Sequence, residues 1–571
     1  MCGIFAVFSR SSGALTVARS ASGRKESLRE FVYRQSGCQR HRGPDHTGVV
    51  LVPEHGVAIV QERLALLGIR TGAQPMQSAS GEVILAANGE IYNYLEIAAD
   101  ISQRRGINYT PRSDSDVIIG LYEEFGRDLV HQITGMFTFV LYDRTKKTLL
   151  IARDPIGIIP LYIGEDNDGN IWISSEMKCL VGVCCDVKAF PPGTLCWGTP
   201  DHLTFEQFYN PKWISTIPTH QSNLMLLRKK LENAVRSHLQ CDVPFGALLS
   251  GGVDSSLIAS IATKIMRERD PNFRLKTYSV GLRGAPDFKY SRMVADYIGS
   301  DHTEVYFTIE EGLDCIPDII RHLESYDVTT IRASIPMYLL SRFIKSEGLK
   351  MVLSGEGADE IFGGYLYFHC APNPRDFHEE TVTRVRCLHL ADCLRANKST
   401  MAWGLELRVP FLDTEFVNYA MNIRPEDRMP AATDQAISPE ILESEGTAKR
   451  VENPKIEKYI LRAAFRDNYL PPEVLWRQKE QFSDGVGYQW IDTIKSFAAA
   501  HVDEEDLQHA QEAFPINTPT TKEALYYRQV FKEFFPAETF DTTVMKWVPR
   551  TDWGCSADPS GRAQAVHVAH A

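Results

Sequence analysis

The chain has 571 residues, of which 44% are apolar and 23% charged, with a formal net charge of −12. That length exceeds what one hydrophobic core usually serves, and the acidic balance argues against nucleic acid or an anionic membrane surface as the main partner. No apolar run reaches the eighteen or so residues of a membrane span, and the first residues lack a signal-type segment, so a soluble, cytoplasmic protein is expected.

In chain order, short apolar or alternating runs predict strands over residues 4–9, 48–53, 57–64, 83–91, 136–143, 149–154 and 171–176. A helix is predicted over 116–125, and together these read as a β-rich α+β unit. A polar, Pro-containing stretch at 211–223 reads as a linker. Leu224, Leu227, Leu231, Ala234, Val235 and Leu239 then recur at helical spacing. Strand-like runs at 245–249, 276–281, 303–307 and 350–353 alternate with helical segments, the pattern of a parallel α/β sheet. The boundaries expected are 2–210, 211–223, 224–551 and a loosely ordered tail at 552–571. The segment 431–453 reads as a surface insertion. The twelve cysteines show no metal-ligand spacing and read as mostly reduced.

The most informative segment is Ser250-Gly251-Gly252-Val253-Asp254-Ser255-Ser256, placed between an apolar run and a helical one. Glycines admit close approach of an anion, the hydroxyls donate, and a helix N-terminus adds unpaired N–H groups, which makes a phosphate cradle. The segment lacks the Gly-Lys-Ser/Thr ending of a Walker A loop. It resembles the PP-loop of the ATP pyrophosphatases, which cleave ATP between its α- and β-phosphates. Ser354-Gly355-Glu356-Gly357-Ala358-Asp359-Glu360 also follows a predicted strand, and ligands of parallel sheets gather at such ends.

At the other end, Cys2 becomes terminal if Met1 is removed, and its thiol then has a free α-amine beside it as a base. Taken alone, Cys2 reads as a packed cysteine. However, Met1-Cys2-Gly3-Ile4-Phe5, His41-Arg42-Gly43-Pro44-Asp45, Arg63-Leu64-Ala65-Leu66-Leu67, Asn88-Gly89-Glu90-Ile91-Tyr92-Asn93 and Ser113-Asp114 together resemble the class II glutamine amidotransferase domain, an N-terminal-nucleophile fold. The resemblance implies that Cys2 attacks glutamine and that Asn88 with the Gly89 N–H stabilises the oxyanion. It further implies that Arg63 and Leu67 help seat glutamine, Arg63 through its carboxylate, and that Glu90 and Asp114 hold its α-amine.

With both ends, and with Trp476-Arg477-Gln478-Lys479-Glu480-Gln481-Phe482-Ser483-Asp484-Gly485 near the carboxyl end, the chain resembles the glutamine-hydrolysing asparagine synthetase family. The implied substrates are glutamine, aspartate and ATP, with Mg²⁺ on Asp254 and Asp359. Leu249, Ser250, Gly251, Gly252, Asp254, Ser255, Ser256, Val280, Ser354 and Gly355 are assigned to ATP, and Glu356 and Lys479 to catalysis of adenylation or aminolysis. Thr329, Thr330 and Arg332 are candidates for aspartate. A homodimer is suggested. Ala358, where the family pattern has Ser, removes a hydroxyl beside the expected metal site.

Overall fold

The computed structural model describes residues 1–10, 26–432 and 455–567. Apart from its first two residues, the predicted 431–453 insertion lies outside them.

The first unit holds β1 (Gly3–Phe8), β2 (His46–Val52), β3 (Val57–Arg63), β4 (Met76–Gln77), β5 (Val83–Ile91), β6 (Gly135–Asp143), β7 (Thr148–Arg153), β8 (Tyr162–Glu165), β9 (Ile171–Ser174), β10 (Asp186–Ala189), β11 (Thr194–Thr199) and β12 (His202–Gln207). They form two six-stranded sheets, ordered β10-β8-β9-β1-β3-β2 and β12-β11-β7-β6-β5-β4, with every pairing antiparallel. Alternation along each strand assigns the faces. Ile4, Ala6 and Phe8 of β1 meet Ile84 and Ala86 of β5 in a core between the sheets. Val83, Leu85 and Ala87 point the other way, against Ile97, Ile101 and Val117 of helices Tyr94–Arg105 and Val117–Phe125. Phe5 and Val7 pack with Phe31 and Val32 of helix Leu28–Gly37. The result is a sandwich with helices outside it, the expected α+β class. Both faces of the inner strands are buried, which is why β1 reads as the unbroken run Gly-Ile-Phe-Ala-Val-Phe.

The supposed linker is anchored. Trp213 is buried and donates its indole N–H to Asn418 Oδ1 at 3.0 Å. Helix Leu224–His238 follows, capped by Asn223, and buries Leu227, Leu231, Ala234 and Val235. Leu224, expected on the same face, is largely exposed in its first turn.

The second unit is built on a parallel sheet of β13 (Phe245–Leu248), β14 (Lys276–Gly281), β15 (Asp301–Tyr306), β16 (Met351–Leu353) and β17 (Glu406–Arg408), ordered β15-β14-β13-β16-β17. Strand order runs one way from β13 and the other way from β16. The crevice between their carboxyl ends is therefore the topological switch point, where such sheets bind ligands. The expectation of a loose tail is corrected: residues 553–567 pack on the second unit, because the Ser560-Gly561-Arg562 turn supplies three donors to the buried carboxylate of Asp484.

Candidate functional site

The register of β1 against β3, Gly3 opposite Glu62, sets Cys2 beside Arg63 and Leu64. Its Sγ accepts from Leu64 N at 3.4 Å, and its N–H donates to Asn88 Oδ1 at 2.6 Å. The orientation of Asn88 is fixed by Nδ2, which gives one N–H to Ser175 Oγ at 3.3 Å and has a second to donate. Gly89 has φ +123°, and a Cβ there would lie 2.0 Å from Met136 O, so glycine is required beside the β6 backbone. Cys2, Arg63, Leu67, Gly89, Glu90 and Asp114 line one small hollow, and Asn88 adjoins it through Cys2. The Arg63 guanidinium is held by the carbonyls of Ile69 at 3.1 Å and Gly68 at 2.9 Å.

Burial sets the electrostatics of this hollow. It pushes the Cys2 thiol up, a shift that the N-terminal ammonium and the Leu64 N–H only partly oppose, so the sulfur keeps its proton at neutral pH. Burial also lifts the Asp114 carboxyl to about 6, against the N–H groups of Ile91 and Ser115. Glu90 is raised well above the ordinary carboxylate range, although Arg408 pulls it back.

The second constellation lies at the switch point, in a cleft of about 140 Å³. Of the residues expected to meet ATP, Leu249, Ser250, Gly252, Asp254, Ser255, Val280, Ser354 and Gly355 line it, as do Glu356, Asp359 and Lys479. Gly251 and Ser256 do not. Gly251, at φ +79°, makes the turn against Ser291, and Ser256 is buried beneath the loop. The two loops touch: a Cβ on Gly355 would come within 2.5 Å of Ser255 N. Lys479 Nζ pairs with Asp359 Oδ2 at 2.7 Å and stands 4.0 Å from Asp254. Burial would raise the Asp359 carboxyl, but the ammonium groups of Lys458 and Lys479 outweigh it and hold it down to about 2. Half-buried Glu356 is raised by desolvation despite accepting from Arg395 Nη2 at 2.7 Å.

For the expected divalent cation, the donor set fits. Two carboxylates converge from adjacent loops, and Asp254 Oδ1 is buried without a hydrogen-bond partner among the described residues, an oxygen left for a hard cation.

The aspartate candidates separate. Thr329 lines the cleft. Thr330 Oγ1 donates to Asp327 at 2.8 Å, and Arg332 is buried in ion pairs with Glu523 at 2.6 Å and Asp558 at 3.2 Å, facing another cavity. Arg332 lies on a different face of its helix from Thr329, Ala333 and Met337, which line the cleft, and both its carboxylates come from the carboxyl-terminal 50 residues of the described chain, which sequence spacing could not reveal.

Several residues at these sites were not anticipated. Lys458, fully buried, joins Asp254 at 2.5 Å and Asp359 at 2.6 Å, and a Cβ on Gly364 would meet its Cε at 2.0 Å. Beside a polar insertion it reads as a solvated lysine, and nothing local marks it otherwise. Arg477 crosses the Tyr290 ring at 3.9 Å and pairs with Asp287 at 2.9 Å. Two buried arginines connect the units. Arg42 Nε donates to the Cys2 carbonyl at 2.9 Å while Nη2 donates to Asn397 Oδ1 at 3.0 Å. Arg408, in β17, pairs with Glu90 at 3.1 Å and with Glu406 at 2.7 Å, and Glu406 also pairs with the Met1 amine. His41-Arg42-Gly43 stood inside a recognised motif, so the signal for Arg42 was present without its role.

Comparison with known proteins agrees with this division. The glutamine amidotransferase domain model matches residues 1–192, and the asparagine synthase model matches 226–376 and 371–553. A probable glutamine-hydrolyzing asparagine synthetase of Dictyostelium discoideum is 45% identical, with 100% of this chain and 99% of that protein covered. Glutamine-hydrolyzing asparagine synthetase 1 of Saccharomyces cerevisiae is 44% identical over 100% of both chains, and asparagine synthetase B of Escherichia coli is 44% identical over 99% of both. With two matching domains in the same order and relatives of that identity along its whole length, this chain belongs to the glutamine-hydrolyzing asparagine synthetase family.

Proposed function

We propose that this chain converts aspartate to asparagine, taking nitrogen from glutamine and energy from the cleavage of ATP to AMP and pyrophosphate. The reading is carried by one observation: a thiol site at Cys2 and a phosphate-type cleft at Asp254 and Asp359 occupy separate units of one chain that are joined by buried Arg42 and Arg408. A glutaminase and an adenylating site are complementary halves of amide synthesis.

In the first half, removal of Met1 frees the Cys2 amine, which takes the proton that burial otherwise keeps on sulfur. The thiolate attacks the side-chain carbon of glutamine, the carbonyl oxygen gains charge, and the Asn88 amide and Gly89 N–H donate to it. Each such donor is worth about 3 kcal/mol or more in the transition state. Arg63 faces the glutamine carboxylate, Asp114 and Glu90 its ammonium, and Leu67 closes the hollow. Ammonia leaves as the thioester forms, and water then releases glutamate.

In the second half, the loop of Ser250 to Ser256 and the loop of Ser354 to Asp359 seat the phosphates, with Leu249 and Val280 beside the nucleoside. Asp254 and Asp359 would hold Mg²⁺, which when bound neutralises phosphate charge. Lys479 sits between those carboxylates and presents a compact positive charge to the α-phosphate as the aspartate carboxylate attacks it. Glu356, raised by burial, is placed to take a proton as ammonia displaces AMP from the β-aspartyl-adenylate. Thr329 is the aspartate contact that remains in the cleft. A cytoplasmic homodimer completes the proposal.

The test is Cys2→Ala. Synthesis from glutamine should disappear while synthesis from added ammonia continues at the wild-type rate. Loss of both in folded protein would contradict the division of labour.

A further inference from the structure

Beside the phosphate cleft, the helix Val328–Ser346 and Trp547 also wall a second cavity of about 530 Å³, a size that suits a small organic ligand. Thr329, Ala333 and Met337 line the cleft, whereas Val328 and Arg332, one turn apart on another face, line the cavity. The remaining walls come from the helix Gln489–His501, the turn into the helix Lys522–Phe534 and residues 546–559. Trp547 lines both spaces. Its N–H donates to Asp327 Oδ1 at 2.8 Å and its carbonyl accepts from Thr329 Oγ1 at 3.4 Å, so a group that touches Trp547 in the cavity touches a residue tied to the cleft.

The cavity is apolar along its sides and charged at its floor and rim. Val328, Pro519, Ala524, Trp547 and Pro559 supply the sides. On the floor Arg332 is buried: Glu523 accepts from its Nε at 2.8 Å and its Nη2 at 2.6 Å, and Asp558 accepts from its Nη1 at 3.2 Å. Asp327 is spent as the cap of its helix, accepting from Thr330 N at 2.9 Å. The carboxylates that line the cavity are thus all engaged. The cations of the rim are not. Lys495 shares Asp558 with Arg332, Lys522 has only an exposed Glu504 at 3.4 Å, and the exposed ammonium of Lys546 has no ion pair among the described residues.

We propose that this cavity is a regulatory binding site for an amphipathic organic anion. A flat apolar body fills the space between Val328 and Trp547, and its carboxylate or sulfonate sits at the rim on Lys522 and Lys546. Both halves of that ligand follow from the lining. An apolar body gains by leaving water against apolar walls, and an anion gains from a rim ammonium that gives up no partner to receive it. An inorganic anion leaves the apolar walls uncovered, and an organic cation meets like charge at the mouth. The occupant braces Trp547 and, through it, Thr329, which couples the cavity to the cleft.

The test uses the full chain with 8-anilinonaphthalene-1-sulfonate as probe, read by amide exchange over 517–524 and 546–559. Exchange there should slow severalfold at saturating probe. Lys546→Glu, at an exposed position, should raise the dissociation constant of the probe about tenfold, and Ala524→Trp, which fills the cavity, should abolish the protection. N-phenyl-1-naphthylamine, the same ring system without the sulfonate, should bind roughly tenfold more weakly and be indifferent to Lys546→Glu. No protection in the wild type, or an unchanged dissociation constant in Lys546→Glu, overturns the site. Equal binding of the uncharged probe overturns the ligand class. The coupling rests on the cleft taking ATP, as proposed above. Saturating probe should shift the ATP dissociation constant roughly threefold or more, ATP should shift that of the probe by the same factor, and both shifts should vanish in Ala524→Trp. A wild type that binds no ATP would refute the reading of the cleft, whereas ATP affinity indifferent to bound probe would refute the coupling.

Discussion

Asp114 shows how one buried side chain sets a measurable pH limit. Its carboxyl is raised to about 6 by burial, so it is anionic and able to hold an ammonium only above that value. Glutaminase kcat/KM should therefore fall about tenfold per pH unit below about 6 in the free enzyme, and Asp114→Asn should flatten that limb while lowering its plateau. A profile level from pH 7 to 5 in the wild type would contradict the role. The same shift favours the folded state when the carboxyl is protonated, so the contribution of Asp114 to stability declines as pH rises from about 4 to about 6. Lys479 gives a second expectation. Lys479→Ala should cut the adenylation rate by about a hundredfold or more and leave ATP binding within a fewfold, since contact with developing charge appears in the rate. Single-turnover pyrophosphate release against equilibrium ATP binding decides it, and a loss confined to binding would remove Lys479 from the chemistry. Cys2, Asn88 and Lys479 were legible because each lies in a long motif. Lys458 and Arg332 were not: one is a buried lysine without a motif, and the other has its charge consumed by Glu523 and Asp558, partners nearly two hundred residues away or more.

Among the elements, strands with a long apolar run could be read from the chain, such as β1, where burial on both faces demands apolar residues throughout, and the edge strand β2. The short inner strands β8 and β11 and the edge strands β4, β10 and β12 could not. β12 is exposed along most of its length and carries no hydrophobic pattern. β17 failed for the opposite reason. Glu406-Leu407-Arg408 is too polar to suggest a strand, yet it is wholly buried because Glu406 and Arg408 pair with each other, the Met1 amine and Glu90. The tail failed because its order comes from partners distant in sequence, Asp484 with three donors and Arg332 on Asp558 among them. That makes Asp484 the element-scale test. Three donors converge on it, and hydrogen bonds to a charged group are worth about 1.5–3 kcal/mol each. Asp484→Ala should raise amide exchange over 556–567 by tenfold or more and lower synthesis, while glutamine hydrolysis stays at the wild-type rate. Unchanged exchange in that variant would show that the tail is held elsewhere.

At the scale of the whole molecule, two sites in different units need a physical connection. Arg42 and Arg408 are both fully buried, and each touches a group of the thiol site and a group of the second unit. Replacing Arg408 takes a buried partner from Glu90 and Glu406, which costs about 3–5 kcal/mol. Arg408→Met should accordingly lower the melting temperature by several degrees and uncouple the halves, with glutamate formed in excess of asparagine. Ammonia free in water is mostly protonated and unreactive, so coupling requires that nitrogen pass from Cys2 to the cleft without equilibrating with solvent. The most direct test supplies glutamine labelled with ¹⁵N in its side chain, together with aspartate, MgATP and an excess of unlabelled ammonium, and reads the asparagine by mass. Asparagine carrying the label in its side-chain amide, formed with equal amounts of AMP and pyrophosphate, is the predicted result. Unlabelled asparagine, or ATP cleaved to ADP and phosphate, would contradict it.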